Sequence, residues 1–160
     1  MTLFRFSARK LFALAVVFCL STVLLFTGCI TEPETEDTGF IPLGEWADSF
    51  GGSYTITNTS VEFDSGYGET FKGGIKDAVD FSKDAGVLLV QISTSATEGQ
   101  VEKFIGVYYK GYNASHVFLA NAIDETYALI LKDTLAEAKK TFTVDNVETH
   151  VTYWGTGYTK

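Results

Sequence analysis

The chain has 160 residues, is 46% hydrophobic and carries a formal net charge of −8, with 20 acidic residues against 12 basic ones and two cysteines. That length fits one domain, and the acidic balance excludes a surface built for nucleic acid, whose phosphates it would repel. Two cysteines exclude a disulfide framework. At the start of the chain, Arg5, Arg9 and Lys10 give a basic segment with no acidic residue before Glu32, and Leu11 to Phe26 follows as a run of 16 residues broken only by Ser21 and Thr22. The run is short for a membrane span, which needs about 20 apolar residues, and its arrangement is that of an export signal.

Thr27 and Gly28 stand directly before Cys29, with Leu25 and Phe26 ahead of them. This resembles the lipobox of bacterial lipoproteins, an aliphatic residue and two small residues followed by cysteine, with Phe26 in the place usually given to Leu. The resemblance implies a lipoprotein signal peptide over residues 1–28, cleavage before Cys29, a diacylglycerol on its thiol and a fatty acyl chain such as palmitate on the new amino terminus. An uncleaved anchor helix, or an ordinary signal cut nearby, fits the same composition. Several acyl chains at about 0.8 kcal/mol per buried methylene anchor durably, where one chain is marginal. Without the signal 132 residues remain, with 9 basic against 20 acidic residues, a formal charge of −11 and Cys29 as the sole thiol. No intrachain disulfide can then form, and no cofactor is implied beyond the covalent lipid. Ile30 follows the cysteine; by the sorting pattern of such lipoproteins, a residue other than Asp there implies the outer membrane rather than the inner.

Residues 29–39 read as the lipidated terminus and an acidic tether. Glu32, Glu34, Glu36 and Asp37 flank Pro33, and Ile30 is the one aliphatic residue, so the segment cannot bury enough surface to offset its ordering entropy. Its ten residues after Cys29 reach at most about 33 Å.

Residues 40–160 read as a mainly β domain with turns marked by Gly, Asn, Asp and Ser. Tyr54 to Thr57 and Val61 to Phe63 are short strand candidates. Phe71 to Phe81 alternates, placing Phe71, Gly73, Ile75, Asp77, Val79 and Phe81 on one face. Ser82 to Gly86 turns that strand into Val87 to Ile92, a β-branched strand expected to be covered on both faces. A second hairpin joins Phe104–Tyr109 to Val117–Ala120 through Tyr112 to Ser115. Tyr127 to Ile130 is a shorter candidate strand, and the pair Gly73-Gly74 predicts a bend of the kind barrels use to close.

One short helix is expected near 134–142. Thr134 with Glu137 three residues on makes a capping box, Leu135, Ala138 and Phe142 form an apolar stripe, and Lys139 and Lys140 suit the last turn. Val147 to Trp154 returns to alternation and is expected to be the last strand.

This order of elements, with Leu43-Gly44-Glu45-Trp46 at its head, resembles the lipocalin-like barrels of bacterial lipoproteins. The resemblance implies a small antiparallel up-and-down barrel of about eight strands with a short helix before the last, in which Gly44 and Trp46 are structural and the tryptophan plugs one end of a cup. An open barrel or a β-sandwich fits the same alternation. The domain departs from the family in length, in lacking its Thr-Asp-Tyr turn, and in containing no arginine to pack on the tryptophan.

In such a cup, Asp77 would be the one charged residue on an apolar face, with a raised pKa unless it meets a ligand amine or hydroxyl. Tyr108, Tyr109 and Phe118 would offer rings to an apolar or amphipathic ligand. The blander readings are a rim position for Asp77 and core positions for the rings. His116 and His150 lack the spacing of a metal site, and no metal is expected. No Gly-x-Ser-x-Gly or phosphate loop is present, so no enzyme is expected. The sequence thus points to a lipid-anchored binding module of the bacterial cell envelope for a small apolar ligand. The alternative is a filled barrel that acts as a structural or interaction lipoprotein on an envelope or host protein.

Overall fold

In the computed structural model, which describes residues 41–152, 154 and 157–160, eight antiparallel strands pair in chain order and the last returns to the first, closing a barrel. β1 (Gly44–Ala47), β2 (Ser53–Ile56) and β3 (Ser60–Asp64) are short, whereas β4 (Thr70–Ser82) and β5 (Ala85–Ser95) are long. β6 (Phe104–Lys110), β7 (His116–Asn121) and the two-residue β8 (Tyr158–Thr159) complete the ring. The expected signal peptide, Cys29 and the tether lie outside the described residues.

Alternation decides which way each wall faces. In β2 and β3, Tyr54, Ile56, Val61 and Phe63 are buried while Thr55, Glu62 and Asp64 are exposed. Fifteen buried side chains, among them Trp46, Tyr54, Phe71, Tyr109 and Tyr158, fill the interior. Apolar side chains inside and charged ones outside invert the polarity of a membrane-spanning barrel, whose lipid face is apolar. Among the described residues no helix is long and apolar enough to cross a membrane.

The face expected for Asp77 is corrected by a bulge. Ile75 pairs with Val90, but Asp77 pairs with Leu89, so Lys76 is an extra residue and the face assignment flips after it. Ile75 and Ala78 pack on the interior, Val79 is exposed, and Asp77 turns outward to Lys139, 2.6 Å away. Gly73 sits at another register shift, where a Cβ would collide with the Gln91 carbonyl, so the glycine pair does mark a distortion of the long strand.

β5 is covered on both faces, as its unbroken apolar run implies. Leu88, Val90 and Ile92 point inward, while Val87 and Leu89 join an outer cluster with Phe104, Tyr108, Ala138, Phe142 and Val151. Helix α1 (Leu135–Thr141) supplies the cover. Its capping box forms, with the Glu137 N–H donating to Thr134 Oγ1 at 3.2 Å and the Thr134 N–H donating to Glu137 Oε2 at 3.1 Å. The adjoining Phe142 seats over Gly106, where an added Cβ would stand 2.7 Å from its Cγ. Burial of a phenylalanine here contributes about 1.5–3 kcal/mol.

Two expected strands are absent. Tyr127 to Ile130 is a turn and an isolated bridge, Leu129 to Ile123, because Asp124 Oδ1 accepts the N–H groups of Thr126 (2.8 Å) and Ala128 (3.1 Å) and diverts the chain. Val147–His150 is a helical turn, α2, and the closing strand is Tyr158–Thr159. Packing overrides the alternation: Val151 is buried in the outer cluster, and His150 accepts the Ile123 N–H through its carbonyl at 2.9 Å.

Candidate functional site

The barrel has two ends. At the near end, where the chain enters β1, Trp46 is 1% exposed and its indole N–H donates to the Pro42 carbonyl at 2.8 Å. Tyr112 meets that ring edge-on, 5.7 Å between centres, and Lys160 Nζ lies 4.8 Å from its centre. A lysine therefore provides the cation for which the domain has no arginine. Gly44 holds φ +137, a conformation side-chain-bearing residues rarely adopt. Tyr109 also belongs to this end: its hydroxyl donates to Asp80 Oδ1 at 2.7 Å, and burial, reinforced by Asp80, pushes its pKa well above 10.

At the far end the strands open on a cavity of about 280 Å³ lined by Asp48, Tyr54, Glu69, Asn121, Tyr127 and Tyr158 together with apolar neighbours. Its floor is built from buried aromatics. Tyr54 donates to Asn121 Oδ1 at 2.9 Å and packs on Phe63 and edge-on to Tyr158, with centres 4.8 and 5.2 Å apart. Burial first, and neighbouring ionisable groups second, keep both hydroxyls protonated. Tyr54 is raised well above 10 by burial, then by Tyr158 and Glu69, and Tyr158 is pushed up to about 12 by burial, then by Asp48. Such hydroxyls are donors at neutral pH and poor bases.

The four residues expected to meet a ligand do not converge. Asp77 lies on the outer wall with Lys139. Tyr108 is buried under the helical cover, its hydroxyl sharing a hydrogen bond with His150 Nδ1 at 3.1 Å. Phe118 is outside the barrel against His116, with ring centres 4.8 Å apart, and Lys110 Nζ lies 5.8 Å from its ring centre. Tyr109 alone of the four points inward, at the end away from the cavity. The residues that do line the mouth escaped the sequence reading. Tyr54 opens a candidate strand in the sequence, but its meeting with Asn121, 67 residues on, depends on barrel closure.

A wider depression of about 520 Å³ on the outer wall of β2–β5 is lined by Ser, Thr, Asp64, Lys72 and Glu62, and the last two form an ion pair at 3.2 Å. Among the described residues no group of three or more His, Cys, Asp and Glu is placed to hold a metal ion. Comparison of the chain with protein-family models, with curated proteins and with solved structures found no match to any of them.

Proposed function

We propose that this protein is a lipid-anchored lipoprotein of the bacterial cell envelope, in the outer membrane, whose barrel is a filled, non-enzymatic scaffold acting through its outer surface on an envelope or host partner. The single observation that carries the choice between a cup and a scaffold is the interior. Fifteen side chains no more than 8% exposed occupy the space where a lipocalin-like cup would hold its ligand. The far mouth, at about 280 Å³, is below the roughly 300–1,000 Å³ of pockets that enclose a small molecule.

The anchor rests on the Leu25-Phe26-Thr27-Gly28-Cys29 stretch and on the acidic segment after it. A second reading, in which an amphipathic ligand places one end in the mouth, is favoured by the buried Tyr54 and Tyr158 hydroxyls there. Labelling with an alkyne fatty acid in a bacterial host tests the anchor: the protein should carry label and partition with membranes, and Cys29→Ala should lose both the label and the cut before residue 29. Equal labelling of the variant would remove the lipoprotein reading.

A further inference from the structure

The three most exposed large apolar side chains among the described residues are all aromatic and all at the far end: Phe50 at 59%, Tyr67 at 80% and Tyr127 at 74%. Each stands in a different loop, following β1, β3 and β7 respectively. Exposed rings scattered singly over a surface would carry no message. Here three of them stand in loops at one end of the barrel, with Tyr127 on the mouth itself, and each is held in place by its own turn.

The turns are built from side chains the sequence places just ahead of each ring. Asp48 Oδ1 accepts the N–H groups of Phe50 and Gly52, both at 2.8 Å. Asp64 Oδ1 accepts the Gly66 N–H at 2.7 Å, and Ser65 Oγ accepts those of Tyr67 and Glu69, both at 3.1 Å. Tyr127 holds φ +65, unusual for a residue with a side chain, and its N–H donates to the Asp124 carbonyl at 3.0 Å. The first two turns also abut, since a Cβ on Gly66 would stand 2.8 Å from the Gly51 backbone, which fixes the spacing of Phe50 and Tyr67. Rings presented on fixed turns lose little freedom on docking, and aromatic side chains dominate the energy of protein interfaces.

Charge selects the partner. Beyond the turn aspartates, the loops at this end carry Glu69, Glu98, Glu102, Glu125 and Asp133 against Lys103, which is ion-paired with Asp133, and Lys132, so carboxylates outnumber lysines there. The near end instead carries Lys83, Lys110 and Lys160. An acidic aromatic rim repels anionic lipid and nucleic acid and suits lysine or arginine side chains, which gain from both the carboxylates and the ring faces.

We infer that the far rim, carried by Phe50, Tyr67 and Tyr127 within a ring of carboxylates, is the docking surface for a basic polypeptide. This rests on the reading of the barrel as a surface-acting scaffold and specifies where it acts and on what chemistry. Two measurements on the full-length protein in its membrane test it. First, with a short lysine-leucine peptide as probe, binding should weaken by about tenfold or more in the Phe50→Ser, Tyr67→Ser, Tyr127→Ser triple variant and should fall with added salt. Val79→Ser, an exposed position on the outer wall toward the near end, should bind as the wild type does. A glutamate-leucine peptide should not bind. Equal binding of the triple variant, or binding of spermine to the mouth as tight as that of the peptide, would overturn the inference. Second, a photoreactive phenylalanine analogue is placed in cells at Tyr67, at Tyr127 and, for comparison, at the outer-wall positions Thr55 and Val79. Adducts from the two rim positions that map to a lysine- or arginine-rich segment support the inference. Adducts from the comparison positions alone overturn it while leaving the scaffold reading standing, and no adduct from any position overturns both.

Discussion

Lys160 sets its ammonium 4.8 Å from the centre of the Trp46 ring, on the ring whose N–H is already held by the Pro42 carbonyl at 2.8 Å. β8 is two residues long and meets β1 through Ala47 and Thr159, so the barrel seam relies on these packed side chains more than on its ladder. Trp46→Ala should cost about 3–5 kcal/mol, the usual range for truncating a buried aromatic. Lys160→Ala should cost about 0.5–1 kcal/mol, as for an exposed cation over a ring. Urea denaturation measures both, and equal losses would mean that the cation contributes to the seam as much as the buried ring does.

The outward turn of Asp77 has a measurable consequence. Its pair with Lys139 at 2.6 Å is partly exposed, so Asp77→Asn should destabilise by less than about 1 kcal/mol. A carboxylate sealed inside the barrel would behave differently, because its neutral replacement would relieve a desolvation cost and stabilise the fold. Deleting Lys76 removes the extra residue yet keeps Asp77 opposite Leu89 on the outer wall, so the Asp77–Lys139 pair should survive that deletion.

The helical cover depends on one close fit. Phe142 is 1% exposed and lies against Gly106. Gly106→Ala should overpack this contact and cost about 1–3 kcal/mol, and Phe142→Ala should cost about 3–5 kcal/mol by leaving a cavity. The double variant should lose less than the sum of the two, because the space left by the ring accepts the new methyl group.

Burial, and then Lys132, hold the His150 imidazole below its usual 6.5. As pH falls past 6.5 the unfolded chain takes up this proton before the folded one does, so the histidine's contribution is intact above that pH and declines as pH drops toward the lowered folded value. His150→Gln should flatten this part of the stability profile relative to the wild type, read as denaturation midpoints between about pH 7.5 and 5. Parallel profiles would mean that the ring is equally easy to protonate in both states.

What was legible in the chain was local. Tyr54 and Ile56 in β2, the hairpins on either side of Ser82–Gly86 and Tyr112–Ser115, and the Thr134–Glu137 box are each written within a few residues, and all of them form. The bulge at Lys76 left no mark, because no glycine or proline stands there and the shift is set by pairing with Val90 and Leu89 on β5. Val147 to His150 alternates like a strand but is held as a helical turn by contacts with the outer wall. The mouth was hidden for the same reason. Asp48, Glu69, Asn121 and Tyr158 meet only when the barrel closes, and no spacing in the sequence brings them together.

Native mass spectrometry of the protein purified in mild detergent from its own membranes tests the central claim, a filled scaffold on a lipid anchor, most directly. The expected mass is that of the chain from Cys29 onward plus its covalent acyl groups, with no further bound molecule. A reproducible noncovalent adduct of lipid size, lost when Tyr54→Trp further fills the interior, would contradict it and restore the cup.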